Sequence, residues 1–386
     1  MRTDNAPDPL DKRASHSVMG EIRAAENPVQ LPIIESSLME QVLDRNNLVR
    51  ALQQVKRNKG AAGIDGMTTD QLSTYLHTHW PELRERLTSG KYSPQAVRRV
   101  EIPKADGKLR KLGIPTVIDR LIQQAIAQVI SQLWEPTFHP NSYGFRPRRS
   151  AHQAIRHAQT VIVQGKHWVV DLDLEAFFDT VNHDRLMYRL GMKIQDQTLL
   201  KLIRKYLKSP VQKDQQLTAS KEGVPQGGPL SPVLANIVLD ELDWELEQRG
   251  HCFSRYADDC QIFAGSQRSA ERIKTSVQRF IERRLRLRVN NDKSAVDRPW
   301  KRSFLGFTVS PRRDHRIKVA DKAIVKLKER VRALSRRTRG HNLLHVIADL
   351  KKYLLGWKAY FGIAEVLSPL RDIDKWITRV RQLSTE

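Results

Sequence analysis

The chain has 386 residues, and its 66 Lys and Arg residues outnumber its 43 Asp and Glu residues, which gives a formal net charge of +23. This length predicts about two or three domains with a sizeable buried core, and the excess of positive charge predicts a polyanionic partner, most simply a nucleic acid. Its two cysteines are too few for a structural zinc site or a disulfide framework, and no apolar run approaches the ~18 residues of a membrane span, so we expect a protein of the bacterial cytoplasm.

The N-terminal segment is polar, contains scattered prolines and lacks the apolar core of a signal peptide. We therefore expect residues 1–35 to form a disordered leader. Helical periodicity begins at Leu48. Glycines at positions 60, 63 and 66 then predict a loop whose backbone approaches another group closely, although a plain loop accounts for the same pattern.

Two short alternating segments, Val97–Ile102 and Lys108–Ile114, flank an Ala-Asp-Gly turn and predict a β-hairpin. The hairpin carries several cations, among them Lys104 and Arg110. Cations in this position suit a triphosphate or a nucleic-acid backbone. They would also protect a solvated sheet edge from pairing with another chain, and these residues alone leave both interpretations open.

A long amphipathic helix is expected from 116 to 134, and the segment SYGFRPRRS follows it at 142–150. This segment places a tyrosine and a phenylalanine beside three arginines. Such a combination could stack on bases and hold phosphates. It could equally consist of packed rings and a solvated turn. Another helix is expected from 151 to 164.

The segment Val169–Leu174 alternates in the manner of a β-strand and places Asp171 and Asp173 on one face. Carboxylates at the end of an apolar strand are costly unless water or a cation reaches them. Helical periodicity follows over 184–207. The strand end is therefore a candidate for cation binding.

Residues 223–232, GVPQGGPLSP, predict a loop of specified shape that leads into a helix over 232–249. The loop contains Gly227 and Gly228, which carry no side chains. A nucleotide or a base pair could therefore lie directly on the backbone of this loop.

The segment FSRYADDCQIF predicts strands over 252–256 and 260–264, joined by a turn that carries Asp258 and Asp259. An isolated pair of acids in a turn is usually only a solvated turn. If the strand bearing Asp173 lies beside this hairpin, however, three carboxylates share one site. Such a site can bind two Mg²⁺ ions, which activate a 3′-hydroxyl and stabilise a leaving pyrophosphate.

The C-terminal part of the chain is its most basic region, with 22 Lys and Arg against 8 Asp and Glu from Arg298 onward. A short strand over 285–289 precedes it, and another strand or turn is expected over 304–309. Amphipathic helices with basic outer faces are predicted at 321–338, 342–361 and 369–383.

These motifs, in this order and at these spacings, resemble group II intron-encoded proteins, which are reverse transcriptases with a maturase domain. The resemblance extends from about residue 50 to residue 385. Its blocks are, in chain order, KGAAGIDG, IPKADGKLRKLGIP, SYGFRPRRSAHQAI, DLDLEAFFD, GVPQGGPLSP, RYADD, LRLRVNNDKS, FLGF and LKKYLLGWKAYFG.

The resemblance implies an α+β fold of the right-hand polymerase type. Fingers would occupy 36–165, a palm with an antiparallel sheet 166–310, and a three-helix thumb or maturase (X) domain 311–386. The implied activity is RNA-directed DNA synthesis from dNTPs on an RNA template with a DNA primer or DNA target. The protein would also bind its intron RNA and promote splicing and mobility. The alternatives are a specialised reverse transcriptase of the retron, diversity-generating or phage-defence type, and an RNA-binding splicing factor with an inactive polymerase.

The resemblance also assigns roles to individual residues. Asp171 would be auxiliary or structural, and Phe178 would exclude a ribose 2′-hydroxyl. The catalytic and metal-binding acids, holding two Mg²⁺ ions with Mn²⁺ as a substitute, would be Asp173, Asp258 and Asp259. The dNTP contacts would be Lys104, Arg110, Phe178, Gln226, Gly227 and Lys293. Expected contacts to nucleic acid are Arg146, Arg148, Arg149, Lys326, Lys328, Arg330, Lys351, Lys352 and Lys358.

The sequence departs from the family's pattern at three places. Ser294 stands where threonine is common, and Cys260-Gln261 follows the two acids where apolar residues are usual. The chain also stops about 25 residues after the LLGWKAYFG block, where many relatives continue into an HNH nuclease. We therefore expect no endonuclease activity, and the intron, if mobile, would use a nick or fork made by other machinery.

Overall fold

The computed structural model describes residues 37–103, 109–213, 216–218, 222–335 and 343–385. The architecture below is that of the unit that begins at Leu38. The predicted leader over 1–35 and the predicted phosphate contact Lys104 lie outside the described residues. Among those residues, no helix combines the length and the apolar character needed to cross a lipid bilayer.

Helices account for most of the described chain. They are α1 Leu38–Val42, α2 Arg45–Asn58, α3 Leu72–Thr88, α4 Val117–Trp134, α5 Ala151–Val163, α6 Phe177–Thr180, α7 His183–Gly191, α8 Gln197–Leu207, α9 Ser231–Gln248, α10 Gln267–Phe280, α11 Asp321–Leu334, α12 Leu343–Phe361 and α13 Ser368–Thr385.

The strands form three sheets. They are β1 Val97–Pro103, β2 Leu109–Ile114, β3 Trp168–Leu172, β4 Val211–Lys213, β5 Gln216–Thr218, β6 Cys252–Tyr256, β7 Asp259–Ala264, β8 Ala295–Asp297, β9 Phe307–Val309 and β10 Ile317–Val319. One sheet has the order β2-β1-β4-β5, the central sheet has the order β6-β7-β3-β8, and β9 pairs with β10. This mixture of helices and largely antiparallel sheets confirms the predicted α+β class.

The central helix α4 is buried around most of its circumference. It begins after Thr116, whose hydroxyl accepts a hydrogen bond from the backbone N–H of Asp119 at 3.2 Å. Apolar side chains of this helix, such as Ile126 and Ile130, have no exposed surface. Because residues from α2, α8 and α9 belong to the same apolar core, α4 connects the N-terminal helices to the central sheet.

Local pattern predicted most elements but not all of them. The expected single helix over 184–207 is two helices, because Asp196 caps the second by accepting from the N–H groups of Thr198 and Leu199 at 3.0 and 3.1 Å. The expected strand over 285–289 is also wrong. Residues Ile281–Leu285 form a wide helical turn, Arg286 has a φ of 56°, and only Val289 forms a β-bridge, to Leu174.

Two smaller apolar clusters complete the interior. One lies between α5, the central sheet and the β9–β10 pair, and includes Ile155, Phe263 and Phe307. The other, in the C-terminal helices, contains Leu327, Val331 and Ile373 as its buried members. The expected C-terminal helices are confirmed, but their shared core is small.

Candidate active site

The register of the central sheet brings the predicted acids together. Leu172 of β3 pairs with Cys260 of β7, so Asp173 follows directly at the position beside Asp259. Tyr256 pairs with Asp259 across the β6–β7 hairpin, which leaves a two-residue turn with Asp258 at its tip. Asp173 and Asp258 line a cleft of about 1150 Å³. The predicted proximity of the two acid-bearing segments is therefore present in the fold.

Asp173 is held in place through its backbone. Its N–H donates to Ser294 Oγ at 3.0 Å, and its carbonyl accepts from the N–H of Asn290 at 2.8 Å. Serine at position 294 thus supplies the hydroxyl that supports the strand end. The departure from threonine noted in the sequence keeps the group that this contact requires.

The hairpin turn at Ala257 and Asp258 has an uncommon conformation. Ala257 has a φ of 57°, in the left-handed region that residues with a β-carbon seldom adopt. A β-carbon on Gly144 would lie 2.3 Å from the backbone nitrogen of Ala257, so the loop that follows α4 packs directly against this turn. The surrounding backbone therefore specifies where Asp258 points.

A buried arginine stabilises the turn from within. The side chain of Arg255 is fully buried, and its Nη1 donates to the carbonyl of Ala257 at 2.8 Å. Its Nε and Nη2 donate to the carboxylate of Asp243 at 2.7 and 2.5 Å. The same guanidinium also donates to Asn236 Oδ1 and to Ser142 Oγ. We infer that Arg255 positions the hairpin tip, because one rigid group joins α9, the loop after α4 and the turn.

Sequence reasoning did not identify Arg255. The available signal was a single cation inside a hairpin whose neighbours, Phe253 and Ile262, are apolar. Its partner, Asp243, lies on a helix in which Leu242 and Leu246 are the obvious core positions. Which acid would pair with the arginine depended on how α9 packs against β6.

Asp258 is exposed, whereas Asp259 is half-buried. Burial is the largest cause of a raised pKa at Asp259, to about 7. The carboxylates of Asp171, Asp258 and Asp173 add to this rise in that order of importance, because like charges disfavour ionisation. A hydrogen bond from the backbone N–H of Leu305 opposes it.

The donor set fits a divalent cation. Carboxylate oxygens are the ligands that Mg²⁺ prefers, and a cation would relieve the repulsion that raises the pKa of Asp259. Within the described ranges, no three His, Cys, Asp or Glu side chains are close enough to hold a metal ion as they stand. Asp173 and Asp258 line the open cleft, which leaves room beside them for ligands from a substrate.

Asp171, expected to be auxiliary or structural, forms an ion pair with Arg302. Arg302 donates to its Oδ2 from Nε and Nη2, at 2.9 and 2.7 Å. Arg302 also donates to the carbonyl of Lys293 at 3.0 Å. Burial raises the pKa of Asp171 and the bond from Arg302 opposes the rise. This pair ties β3 to the segment between β8 and β9.

The described part of the predicted nucleotide pocket lines the same cleft, with Phe178, Gln226, Gly227 and Lys293 all on its wall. The carbonyl of Gln226 accepts from the N–H of Gly113 at 2.6 Å, which fixes the loop against β2. Gly227 has a φ of 120°, and a β-carbon there would lie 2.5 Å from the carbonyl oxygen of Gly113. Only glycine fits that position.

Lys111 of β2 also lines the cleft, on the same strand face as Leu109. The sequence singled out Arg110 instead, and the side chain of Arg110 is outside what the structure describes. The signal for Lys111 was the alternation of the strand, but the sequence does not say which of the two faces meets the cleft.

The predicted nucleic-acid cations divide into two groups. Arg146 is buried: it donates to both carboxylate oxygens of Glu135 and to the carbonyls of His139 and Ser142. This placement contradicts the predicted nucleic-acid contact of Arg146, because its guanidinium serves the fold. The loop's next cation, Arg148, is exposed and lines a second groove of about 570 Å³.

The other predicted cations are at least partly accessible. The guanidinium of Arg149 lies over the ring of Tyr143, with 5.5 Å to the ring centroid. On the C-terminal helices, Lys328 lies over the ring of Trp376, at 5.6 Å from its centroid. The exposed members are Lys326, Arg330, Lys351, Lys352 and Lys358.

The C-terminal helices contact the site through the turn at Leu305 and Gly306. The hydroxyl of Tyr360 on α12 donates to the carbonyl of Leu305 at 2.9 Å. A β-carbon on Gly306 would lie 3.2 Å from the ring of Phe361. Because the N–H of Leu305 bonds to Asp259, this turn lies between α12 and a predicted catalytic acid.

Comparison with known proteins agrees with this geometry. The reverse transcriptase (RNA-dependent DNA polymerase) family matches residues 102–309, and the group II intron maturase-specific domain matches residues 324–382. Protein YkfC of Escherichia coli is 36% identical over 290 residues, which cover 64% of this chain and 76% of YkfC. The group II intron-encoded protein LtrA of Lactococcus lactis is 39% identical over 194 residues, which cover 50% of this chain but only 32% of LtrA.

Among solved structures, a chain of a partial Cas6-RT-Cas1–Cas2 complex covers 64% of this chain at 25% identity, with a TM-score of 0.40 and 43% of that chain covered. The sequence matches carry the assignment. The reverse transcriptase match spans the central sheet with all three acids, and the maturase-specific match spans the C-terminal helices. The chain therefore belongs to the reverse transcriptase family, as a member of the group II intron-encoded type with a maturase-specific domain.

Proposed function

We propose that this protein synthesises DNA on an RNA template at the cleft beside Asp173, Asp258 and Asp259. The observation that carries the proposal is the register of β3 against β7, which aligns Asp173 with Asp259 beside the cleft that Asp173 and Asp258 line. Phe178 and the loop at Gln226 lie on the wall of the same cleft. Substrates would be dNTPs and an RNA template with a DNA primer or DNA target.

Members of this family generally use divalent metal ions. Here Asp173, Asp258 and Asp259 would hold two Mg²⁺ ions, with Mn²⁺ as a substitute, which neutralise the triphosphate and lower the pKa of a primer 3′-hydroxyl. Arg255 keeps Asp258 directed at the cleft, and Ser294 keeps Asp173 at the strand end. Both contacts are made by the protein itself, so they would limit the movement that the two acids need when the cations bind.

The cleft's other residues would select and orient the nucleotide. Lys111 and Lys293 place positive charge where a triphosphate would lie, and Lys104 and Arg110 remain proposed contacts from the same hairpin. The ring of Phe178 rests edge-on against the buried ring of Phe177, 5.1 Å between centroids. A ring supported in this way would resist displacement by a ribose 2′-hydroxyl.

We further propose that the protein binds its group II intron RNA and promotes splicing and mobility, within the bacterial cytoplasm. The support is the maturase-specific match over residues 324–382, together with the exposed cations of α11 and α12. The corresponding domains would be fingers at 36–165, palm at 166–310 and thumb at 311–386. The maturase match also disfavours the retron-like alternative, and the presence of all three acids disfavours an inactive polymerase.

The two activities can be tested separately. Primer extension on an RNA template should require a divalent cation and should stop on chelation. Splicing of the flanking intron at low Mg²⁺ should be faster with the protein than without it. Absence of extension would refute the polymerase assignment, and absence of splicing stimulation would refute the maturase assignment.

A further inference from the structure

Helix α10 presents a surface that the polymerase cleft does not use. Its buried side chains, Ala270, Ile273 and Val277, pack toward the central sheet. None of the described residues that line the cleft beside Asp173 and Asp258 belongs to α10. The opposite face of the helix points away from the sheet and is exposed.

This outer face carries a regular row of arginines. Arg268, Arg272, Thr275 and Arg279 are spaced at i, i+4, i+7 and i+11, which places them on one stripe of a helix. At about 1.5 Å per residue the stripe is ~16 Å long. Together with Ser276 and Glu271 these residues border a shallow depression of about 370 Å³. We call Arg268, Arg272 and Arg279 the α10 arginine stripe.

The acids of this segment do not neutralise the stripe. Glu271 accepts a hydrogen bond from Gln267 at 3.0 Å, and Glu282 accepts one from Gln278 at 2.8 Å. In the part of the chain that the structure describes, no carboxylate forms a salt bridge with Arg268, Arg272 or Arg279. Their guanidinium donors are therefore available to a partner.

Other cations nearby are used differently. Lys274, on the inner side of α10, donates to the carbonyl of Ser294 at 3.0 Å. Arg185 and Arg189 of α7 and Arg284 after α10 all bond to Glu241. These four cations bond to groups that support the fold, whereas no ion pair engages the α10 arginine stripe among the described residues.

We propose that the α10 arginine stripe binds the phosphate backbone of a duplex segment of structured RNA, and that this contact is separate from the template–primer cleft. The inference rests on the proposed intron RNA partner. Planar guanidinium groups bind phosphate oxygens in pairs, and a stripe of this length can span several phosphates of a duplex. Structured RNA is recognised largely through backbone and shape, which suits a row of arginines without aromatic rings between them.

The test compares two variants that lose the same charge. The stripe variant is Arg268→Gln, Arg272→Gln and Arg279→Gln. The control variant is Arg84→Gln, Arg312→Gln and Arg313→Gln, three arginines that are exposed elsewhere on the protein. Binding to the flanking intron RNA is measured over a series of salt concentrations, and primer extension is measured on a short RNA template with a DNA primer.

We expect the stripe variant to bind intron RNA about tenfold or more weakly than the control, with the slope of log K against log salt reduced by about two to three. Primer extension on the short template should stay within about twofold of the unmodified protein, because no phosphate of that substrate is proposed to reach the stripe. Thermal unfolding should match for both variants.

Other results would overturn the proposal. Equal RNA binding by the two variants would show that the stripe has no role. A DNA duplex that competes as well as RNA, and loses affinity in the same variant, would assign the surface to DNA. If the unmodified protein bound intron RNA but extended no primer, the polymerase assignment would fail while the stripe could still be judged by RNA binding alone.

Discussion

The central sheet and the C-terminal helices differ in how completely they bury and pair their side chains. In the sheet, the ion pair between Arg255 and Asp243 has no solvent exposure, and apolar residues such as Phe253 are equally buried. In the helices, by contrast, Leu344 is 77% exposed and Leu355 is 57% exposed.

This difference indicates which region is held by its own contacts and which region leaves side chains exposed to a partner. The sheet pairs Arg255 with Asp243 and Asp171 with Arg302, so the turn that carries Asp258 and the strand that carries Asp173 are supported by contacts within the protein. The C-terminal helices share a small buried cluster around Leu327 and reach the rest of the protein through Tyr360 and Phe361. Their exposed cations and apolar side chains match the expectation of an RNA partner. The four predictions below test that division, from the largest expected effect to the smallest.

The largest effect is expected from removing the acids of the hairpin. Asp258→Asn with Asp259→Asn should lower DNA synthesis by at least about 10³-fold, because the charge that holds the cations is lost. Intron RNA binding should remain within about twofold, since the C-terminal helices and the α10 arginine stripe are unchanged. Asp372→Asn on α13 removes an exposed acid and serves as the control. Sustained synthesis in the double variant would contradict the assignment of the acids.

The second-largest effect is expected on the enzyme's selectivity for deoxyribonucleotides over ribonucleotides. Phe178→Ala removes the ring that faces the cleft, and we expect the ratio of kcat/KM for dNTPs over rNTPs to fall by about tenfold or more. DNA synthesis from dNTPs should persist. An unchanged ratio would show that another group excludes the ribose 2′-hydroxyl.

Breaking the buried ion pair should affect stability and activity in different ways. Arg255→Met leaves Asp243 buried without a partner and should destabilise the protein by about 3–5 kcal/mol in urea unfolding. Adding Asp243→Leu removes the unpaired charge and should restore much of that stability.

Activity should stay low in that double variant, because nothing then bonds to the carbonyl of Ala257. Arg249→Met breaks a more accessible ion pair, with Glu245, and serves as the control. It should lower the free energy of unfolding by less than about 1 kcal/mol. Recovery of full activity together with stability would refute a positioning role for Arg255.

The smallest effect is expected where the two regions meet. Tyr360→Phe removes the hydrogen bond to the carbonyl of Leu305, which should lower the free energy of unfolding by about 0.5–1.5 kcal/mol. The backbone N–H of Leu305 bonds to Asp259, so a shift of Leu305 would also disturb that acid. We therefore expect a decrease of a few fold in primer extension and a higher Mg²⁺ requirement. Tyr353→Phe on the same helix is the matched control. Identical Mg²⁺ titrations for the two variants would argue against this coupling.

Several features followed from the sequence alone. Alternation and turn residues predicted the β1–β2 and β6–β7 hairpins, and apolar periodicity predicted α4 and the C-terminal helices. Motif order predicted the family. These features depend on a few neighbouring residues or on their order along the chain, so no knowledge of packing was needed.

Tertiary structure decided which cations serve the fold and which face a ligand. Arg146 and Arg148 are two residues apart in one motif, yet the first is buried against Glu135 and the second is exposed on a groove. Arg255 is buried because α9 brings Asp243 to it, and Lys111 faces the cleft because β1 and the loop at Gln226 orient its strand. A charge pattern shows that a cation is present, but its role depends on partners far away in sequence, which only the packing of helices and sheets supplies.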